Sequence, residues 1–159
     1  MILICVGASE FQMNRLLEYV DELCDEKLIE GKDVIAQSGV SDYQPRNYKA
    51  FSLIAREDFQ KYVSDADVII THAGTGSVIP PLKQGKKIIV FPRREMYHEH
   101  IDDHQLELAD VFTSNGYTLC ATSKEELKKC LEEISDFVPK TFVSGKGNID
   151  KIIIEYLLK

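Results

Sequence analysis

The sequence has little basic charge and no long hydrophobic run, and both shortages exclude classes of protein. Lys and Arg number 19 against 26 Asp and Glu, which gives a formal net charge of -7 at pH 7. This balance argues against a nucleic-acid surface, because such surfaces need clustered Lys and Arg. The apolar run at the N-terminus has no basic residue and ends at Gly7, so it is too short for a signal peptide or a membrane span. We therefore expect a cytoplasmic protein that does not bind nucleic acid.

Cysteine pairs and metal-ligand motifs are also missing. The 4 cysteines form no CxxC pair, and each falls on an apolar face of a predicted element, which favours buried thiols over a disulfide or a metal site. They are Cys5, Cys24, Cys120 and Cys130. His98, His100 and His104 are close in sequence, but their spacing fits no zinc signature, and an HExxH motif fails because residue 102 is aspartate. The sequence predicts no metal ion.

The fingerprint of a dinucleotide cofactor is incomplete. Gly74-Thr75-Gly76 matches the start of GxGxxG, but Ile79 occupies the position of the third glycine. No acidic residue closes the second predicted strand, where Gln37 stands instead. We therefore expect no bound cofactor.

What the sequence does contain is a regular alternation of short apolar runs and segments with helical periodicity. This alternation is typical of a mostly parallel sheet with helices on both faces. With 159 residues and no repeat, linker or low-complexity segment, we expect residues 1–159 to form one α/β domain. The predicted strands are residues 2–6, 33–37, 50–54, 68–70, 87–91 and 117–121. The predicted helices begin near residues 14, 56, 78, 105 and 123, and a strongly apolar final helix covers 148–159.

The polar residues that could bind a ligand follow three of these strands. Parallel sheets bind ligands at the carboxyl ends of their strands, so loops 7–11, 72–77 and 93–105 are expected at one rim. The glycine turn at 72–77 leads into a helix, and backbone N–H groups at a helix start can receive a phosphate or diphosphate. Loop 93–105 is dense in charged and hydrogen-bonding side chains.

Three motifs together resemble a known family. The motifs are HAGTGS at 72–77, GKKIIVFPR at 85–93 and YHEHIDDHQLELA at 97–109. They closely resemble the C-terminal domain of glycosyltransferase family 28. The VGASEF turn and the loop at 38–45 extend the likeness over most of the chain. The resemblance implies a Rossmann-like fold equivalent to the C-terminal half of a GT-B glycosyltransferase. The short stand-alone members are the most similar.

The resemblance also implies a UDP-sugar site. The glycine turn would approach the diphosphate, the first loop would line its other side, and the third loop would hold the ribose and the transferred sugar. These residues are Gly74, Thr75, Gly76 and Ser77; Gly7, Ala8 and Ser9; and Glu99, Asp102, His104 and Gln105. Arg93 and Arg94 could add positive charge, and His72 is either a ligand contact or a core group.

Two features of this predicted site stay open. Longer family members carry a glutamate for the ribose hydroxyls where this chain has Pro80-Pro81, which leaves Glu99 or Asp102 as its replacement. A catalytic base is not evident, and we take His98 and Glu99 as the candidates within the third loop, with Glu10 or a partner residue as alternatives.

The function implied is that of a donor-binding subunit of an inverting glycosyltransferase. It would move a sugar from a UDP-sugar to a polyprenyl-diphosphate-linked acceptor in capsule or exopolysaccharide synthesis. A membrane-anchored partner would bind the lipid-linked acceptor and hold this subunit at the inner face of the membrane. The final helix could pack on that partner or on its own sheet. The alternative is a non-catalytic module that activates or stabilises a partner glycosyltransferase.

Overall fold

One parallel sheet of six short strands forms the framework of residues 1–143, the part of the chain that the computed structural model describes. The strands are β1 (Ile2–Cys5), β2 (Val34–Gln37), β3 (Lys49–Phe51), β4 (Val68–Thr71), β5 (Lys87–Val90) and β6 (Leu119–Cys120). They lie in the order β3-β2-β1-β4-β5-β6, and every neighbouring pair is parallel. The predicted α/β class with a parallel sheet is confirmed. The helix predicted at 148–159 lies outside the described residues.

Helices cover both faces of the sheet. They are α1 (Asn14–Asp25), α2 (Arg56–Asp65), α3 (Thr75–Lys83), α4 (His104–Ser114) and α5 (Lys124–Glu133), with short 3-10 turns at Gly31–Asp33 and Glu95–Tyr97. Buried side chains of α1 and α5 share one core cluster with alternate strand residues such as Ile4. Those of α2, α3 and α4 share the other cluster with residues such as Leu3. Because successive strand residues point to opposite faces, neighbouring residues of one strand fill different cores.

The central strands have the composition that this position requires. All four residues of β4 are buried, as expected for a β-branched run covered on both faces. Three thiols, those of Cys5, Cys24 and Cys130, are buried as predicted, and that of Cys120 is half-buried.

The edges of the sheet depart most from the predicted boundaries. The third strand was expected at 50–54 but is Lys49–Phe51, and one further backbone hydrogen bond follows the end of the strand. There the backbone N–H of Gly39 donates to the carbonyl of Ser52. The helix expected near residue 78 begins earlier, at Thr75, and contains Pro80 and Pro81. Since proline has no N–H, neither residue can donate to the carbonyl four residues before it.

The strand order fixes where a ligand can bind. β1 pairs with β2 on one side and with β4 on the other, so the chain changes direction across the sheet at the β1–β4 boundary. In open parallel sheets the crevice outside the carboxyl ends of the strands at such a point receives the ligand. The loops after β1 and β4 flank this crevice.

Candidate functional site

A cavity of about 410 Å³ opens at the β1–β4 boundary, between α2 and α3. Ligand sites for small molecules span roughly 300–1,000 Å³, so a nucleotide-sized group can enter it. Four of the predicted site residues line it, namely Gly7, Ala8, Gly76 and Ser77. The structure thus brings residues of the first loop and of the glycine turn to one cavity.

The glycine turn presents backbone donors at the start of α3. Gly74 is extended, with φ -68° and ψ 131°, and its carbonyl accepts hydrogen bonds from the N–H groups of Ser77 (3.0 Å) and Val78 (3.1 Å). The N–H groups of Thr75 and Gly76 precede the first bonds within the helix, so they are available to an anion. A β-carbon placed on Gly76 would meet no atom within 4 Å, so the space above this residue is open.

His72 supports the turn from below. A β-carbon on Gly7 would lie 2.6 Å from its Nε2 atom, and one on Gly74 would lie 2.2 Å from its Cε1 atom, so the imidazole fits only because both neighbours are glycine. Its Nδ1 atom accepts a hydrogen bond from the Gly74 N–H (2.9 Å), and Nε2 lies 3.2 Å from the Ser77 hydroxyl.

The surroundings of His72 determine the protonation state of its imidazole. Burial lowers the pKa of His72 to about 4, and the positive charge of Arg93 adds to the effect. The ring is therefore neutral at pH 7, and because Nδ1 is an acceptor, Nε2 carries the hydrogen. With this tautomer Nε2 is the donor to the Ser77 oxygen, so the Ser77 hydroxyl hydrogen is available to an acceptor other than His72.

Arg93 lies inside the rim, which corrects the expectation that it faces the ligand. The residue is only 1% exposed. Its guanidinium donates to the carbonyls of Val6, Phe11 (2.9 Å), Gln12 (3.2 Å) and Glu99 (2.9 Å). Burial lowers the pKa of Arg93, but an arginine stays charged in proteins. Arg93 therefore fastens the loop after β1 to the loop after β5.

Glu99 is also interior, which corrects the expectation that it contacts the donor or acts as the base. Its side chain has no exposed surface. Its carboxylate accepts hydrogen bonds from Arg15 Nε (3.0 Å), Arg15 Nη2 (2.8 Å) and the Arg94 N–H (2.9 Å). The guanidinium of Arg15 also lies 4.4 Å from the ring centroids of Phe91 and Tyr97. Glu99 and Arg15 thus form a buried ion pair beneath the third loop.

The rest of the third loop is divided between interior and surface. Gln105 is buried and accepts a hydrogen bond from the Arg93 N–H (3.1 Å), whereas Asp102 is exposed and His104 is half-buried. Asp102 accepts hydrogen bonds from the His104 N–H (3.1 Å) and pairs with His100 Nδ1 (2.9 Å). His98 is exposed, and its backbone lies in the left-handed region, with φ 57°.

The sequence of this chain matches that of a known protein family. The sequence pattern of the glycosyltransferase family 28 C-terminal domain matches residues 1–150. The chain belongs to this family. It is 31% identical over 108 residues to the UDP-N-acetylglucosamine transferase subunit ALG13 of Debaryomyces hansenii, a match that covers 66% of this chain and 50% of that protein. The chain spans about half the length of this curated relative.

Solved structures agree on the fold of this family 28 domain. An NMR solution structure of ALG13 matches with a TM-score of 0.65 at 20% identity, covering 99% of this chain and 96% of the other. The calicheamicin glycosyltransferase CalG4 matches with a TM-score of 0.60 at 15% identity, covering 98% of this chain but 43% of the enzyme. At these identities the likeness concerns the fold, and the predicted equivalence to part of a GT-B glycosyltransferase is confirmed.

Several residues of this family 28 domain's cavity were absent from the predicted site. Arg56, at the start of α2, lines the cavity, as do Gln37 and the Pro80-Pro81 pair. Arg56 belongs to none of the motifs in the sequence, so no sequence signal marks it. The His100–Asp102 pair has the His-x-Asp spacing as its signal, although in the sequence His100 suggested only a metal ligand.

The described residues hold neither a preformed metal cluster nor a membrane-spanning helix. Within residues 1–143 no three His, Cys, Asp or Glu side chains are arranged to hold a metal ion. Over the same residues no helix is long and apolar enough to cross a bilayer.

Proposed function

We propose that this chain binds UDP-N-acetylglucosamine and presents it for transfer, as the donor-binding subunit of an inverting glycosyltransferase. The observation that carries the proposal is that Gly76 and Ser77 of the glycine turn line the cavity at the β1–β4 boundary, in a chain that belongs to glycosyltransferase family 28. Gly7 and Ala8 close the cavity from the other side.

The geometry suits the chemistry of sugar transfer. When the bond between the sugar and the diphosphate breaks, negative charge builds on the departing phosphate oxygens. Oriented N–H groups at Thr75 and Gly76, together with the positive end of the α3 dipole, stabilise that charge without a metal ion. The Ser77 hydroxyl, whose oxygen accepts from His72, can donate to the same phosphate.

The identity of the sugar rests on the relatives. Their printed name, UDP-N-acetylglucosamine transferase subunit, favours N-acetylglucosamine over the other hexoses that the sequence left open. The same relatives give no support to capsule or exopolysaccharide synthesis, and we do not retain that part of the prediction.

A partner subunit would complete such an enzyme. The chain corresponds to 43% of the CalG4 chain, so an enzyme of that architecture needs about as much protein again. We propose that a membrane-anchored subunit supplies that half, binds a lipid-linked acceptor, and holds this chain at the cytoplasmic face of the membrane. The word subunit in the relatives' name is consistent with this arrangement.

For the catalytic base, we favour His100 over His98 on geometry. Asp102 bonds the Nδ1 atom of His100, and the ring of Phe11 packs against the imidazole at a tilt of 38° with centroids 5.4 Å apart, so the two contacts orient Nε2. A carboxylate that orients an imidazole in this way prepares it to accept a proton. His98 has no such partner among the described residues and remains the second candidate.

A non-catalytic module is the alternative function, and Pro80-Pro81 is the observation that favours it. These prolines replace the glutamate expected for the ribose hydroxyls, and they line the cavity themselves. A module of this kind would lack measurable donor binding even when assembled with its partner.

Calorimetric titration with UDP and UDP-N-acetylglucosamine, with and without magnesium, tests the proposal. A Gly76→Asp variant places a carboxylate in the open space above the turn and should abolish binding. Gly76→Asn has nearly the same size without the charge and serves as the matched control, which should retain more of the affinity. Binding by the wild type that needs no magnesium and survives in Gly76→Asn supports the proposal. Wild-type protein that fails to bind at millimolar UDP, alone and with its partner, contradicts it.

A further inference from the structure

Among residues 1–143, Arg56 differs from the other arginines in having no protein partner for its guanidinium. The sequence contains five arginines, and four of them are bonded: Arg15 to Glu99, Arg46 to Asp21 and Asp25, Arg93 to backbone carbonyls, and Arg94 to Asp103. Within residues 1–143, the guanidinium of Arg56 makes neither an ion pair nor a hydrogen bond. Its side chain is exposed at the first residue of α2, yet it lines the cavity described above.

The lining of that cavity makes the arginine conspicuous. Much of the lining is apolar, and its uncharged polar side chains are the amides of Gln37, Gln60 and Gln84 and the hydroxyl of Ser77. No described carboxylate lines it, and Arg56 is its charged side chain. Glu57 and Asp58 follow Arg56 on α2 but do not line this cavity. A cation that no acid neutralises therefore faces the same space as the glycine turn.

We propose that Arg56 is a donor-binding residue that bonds the phosphate oxygens of the nucleotide from the side of the cavity opposite Gly76 and Ser77. This inference rests on the proposed function. A guanidinium offers a planar pair of N–H donors that matches two phosphate oxygens, and such charge-assisted bonds are about twice as strong as neutral ones. The backbone N–H groups of the turn carry only partial charges. In a chain of net charge -7, a full positive charge at the cavity offsets the repulsion of an anionic ligand.

The experiment compares how the full-length chain binds uridine, UMP and UDP by calorimetry. Arg56→Gln removes the charge but keeps a long polar side chain. Arg56→Lys keeps the charge but lacks the planar pair of N–H donors. Lys61→Gln is the matched control, since Lys61 is exposed on the same helix but does not line the cavity. Circular dichroism of each variant checks the fold.

The phosphate dependence decides the outcome. We expect Arg56→Gln to weaken UDP binding by about tenfold or more while uridine binding stays the same, which corresponds to the loss of one charge-assisted contact. Arg56→Lys should recover part of the loss, Lys61→Gln should bind like the wild type, and added salt should weaken UDP binding less in Arg56→Gln than in the wild type. An equal loss for uridine and UDP would place Arg56 on the nucleoside and overturn the proposal, as would unchanged UDP binding in a folded Arg56→Gln. Wild-type protein that binds no UDP would instead overturn the proposed function, and this inference with it.

Discussion

Glu99→Gln tests whether the third loop is built on a buried ion pair. The sequence alone favours Glu99 as a donor contact or a catalytic base, whereas the structure buries its carboxylate against Arg15 and the Arg94 N–H. A catalytic carboxylate and a structural one predict different effects of this substitution. Loss of a catalytic group lowers activity in a stable protein, and loss of a structural group lowers stability.

The magnitude follows from the contacts. Removing one partner of a buried pair costs about 3–5 kcal/mol, because the other charge is left uncompensated. The variant keeps one amide oxygen for Arg15, but its NH₂ group faces donors of Arg15 and Arg94. Arg15 also keeps its bonds to the carbonyls of Thr122 (2.8 Å) and Pro92 (3.3 Å). We therefore expect the free energy of unfolding to fall by about 3 kcal/mol, the low end of this range. For a chain of this size, that loss corresponds to a fall in melting temperature of about 6–12 °C.

Urea unfolding followed by circular dichroism measures this loss. Glu95→Gln is the control, because Glu95 is exposed in the same loop, and it should change the free energy of unfolding by less than about 0.5 kcal/mol. The double variant Arg15→Met/Glu99→Leu removes both charges and should be more stable than Glu99→Gln, since it leaves no unpaired ion. A Glu99→Gln protein as stable as Glu95→Gln would refute the argument.

Two further predictions concern the histidines of the site. The pKa of His72 is about 4 in the folded chain and about 6.5 when unfolded, so the unfolded state binds more protons between these values. The contribution of neutral His72 to the free energy of unfolding is therefore complete above pH 6.5 and is lost as the pH falls toward 4. A His72→Asn variant should show a smaller change in its free energy of unfolding over that range. Equal pH profiles for the variant and the wild type would contradict this reasoning. His100→Gln should keep UDP affinity but slow sugar transfer by about 10²-fold or more when the chain acts with its partner and a lipid-linked acceptor. A larger effect of His98→Gln in the same transfer assay would assign the base to His98 instead.

The sequence predicts the parts of this protein that depend on local pattern. The run of β-branched residues in β4 indicates a strand covered on both faces, and the glycines after it indicate a turn that leads into a helix. Gly7 and Gly74 illustrate the limit of such reasoning, because the sequence shows two turns whereas the structure shows one imidazole, that of His72, held between them. The edge strands were less predictable because fewer contacts fix their ends, as the shorter β3 shows.

Charged residues were the hardest to place, and the reason is physical. Residue type determines what a side chain can bond but not which groups its loop brings near. Arg93 and Glu99 stand in the loop that resembles a sugar-binding segment, yet each finds its partners inside the protein: carbonyls of the first loop for Arg93, and Arg15 of α1 for Glu99. Arg56 stands in no motif, and it is left facing the cavity because no acid of the described chain reaches it. A buried charge must be paired within the fold, so a charge without a protein partner beside a cavity is the better indicator of a ligand. In this domain, that criterion selects Arg56 over Arg93 and Glu99.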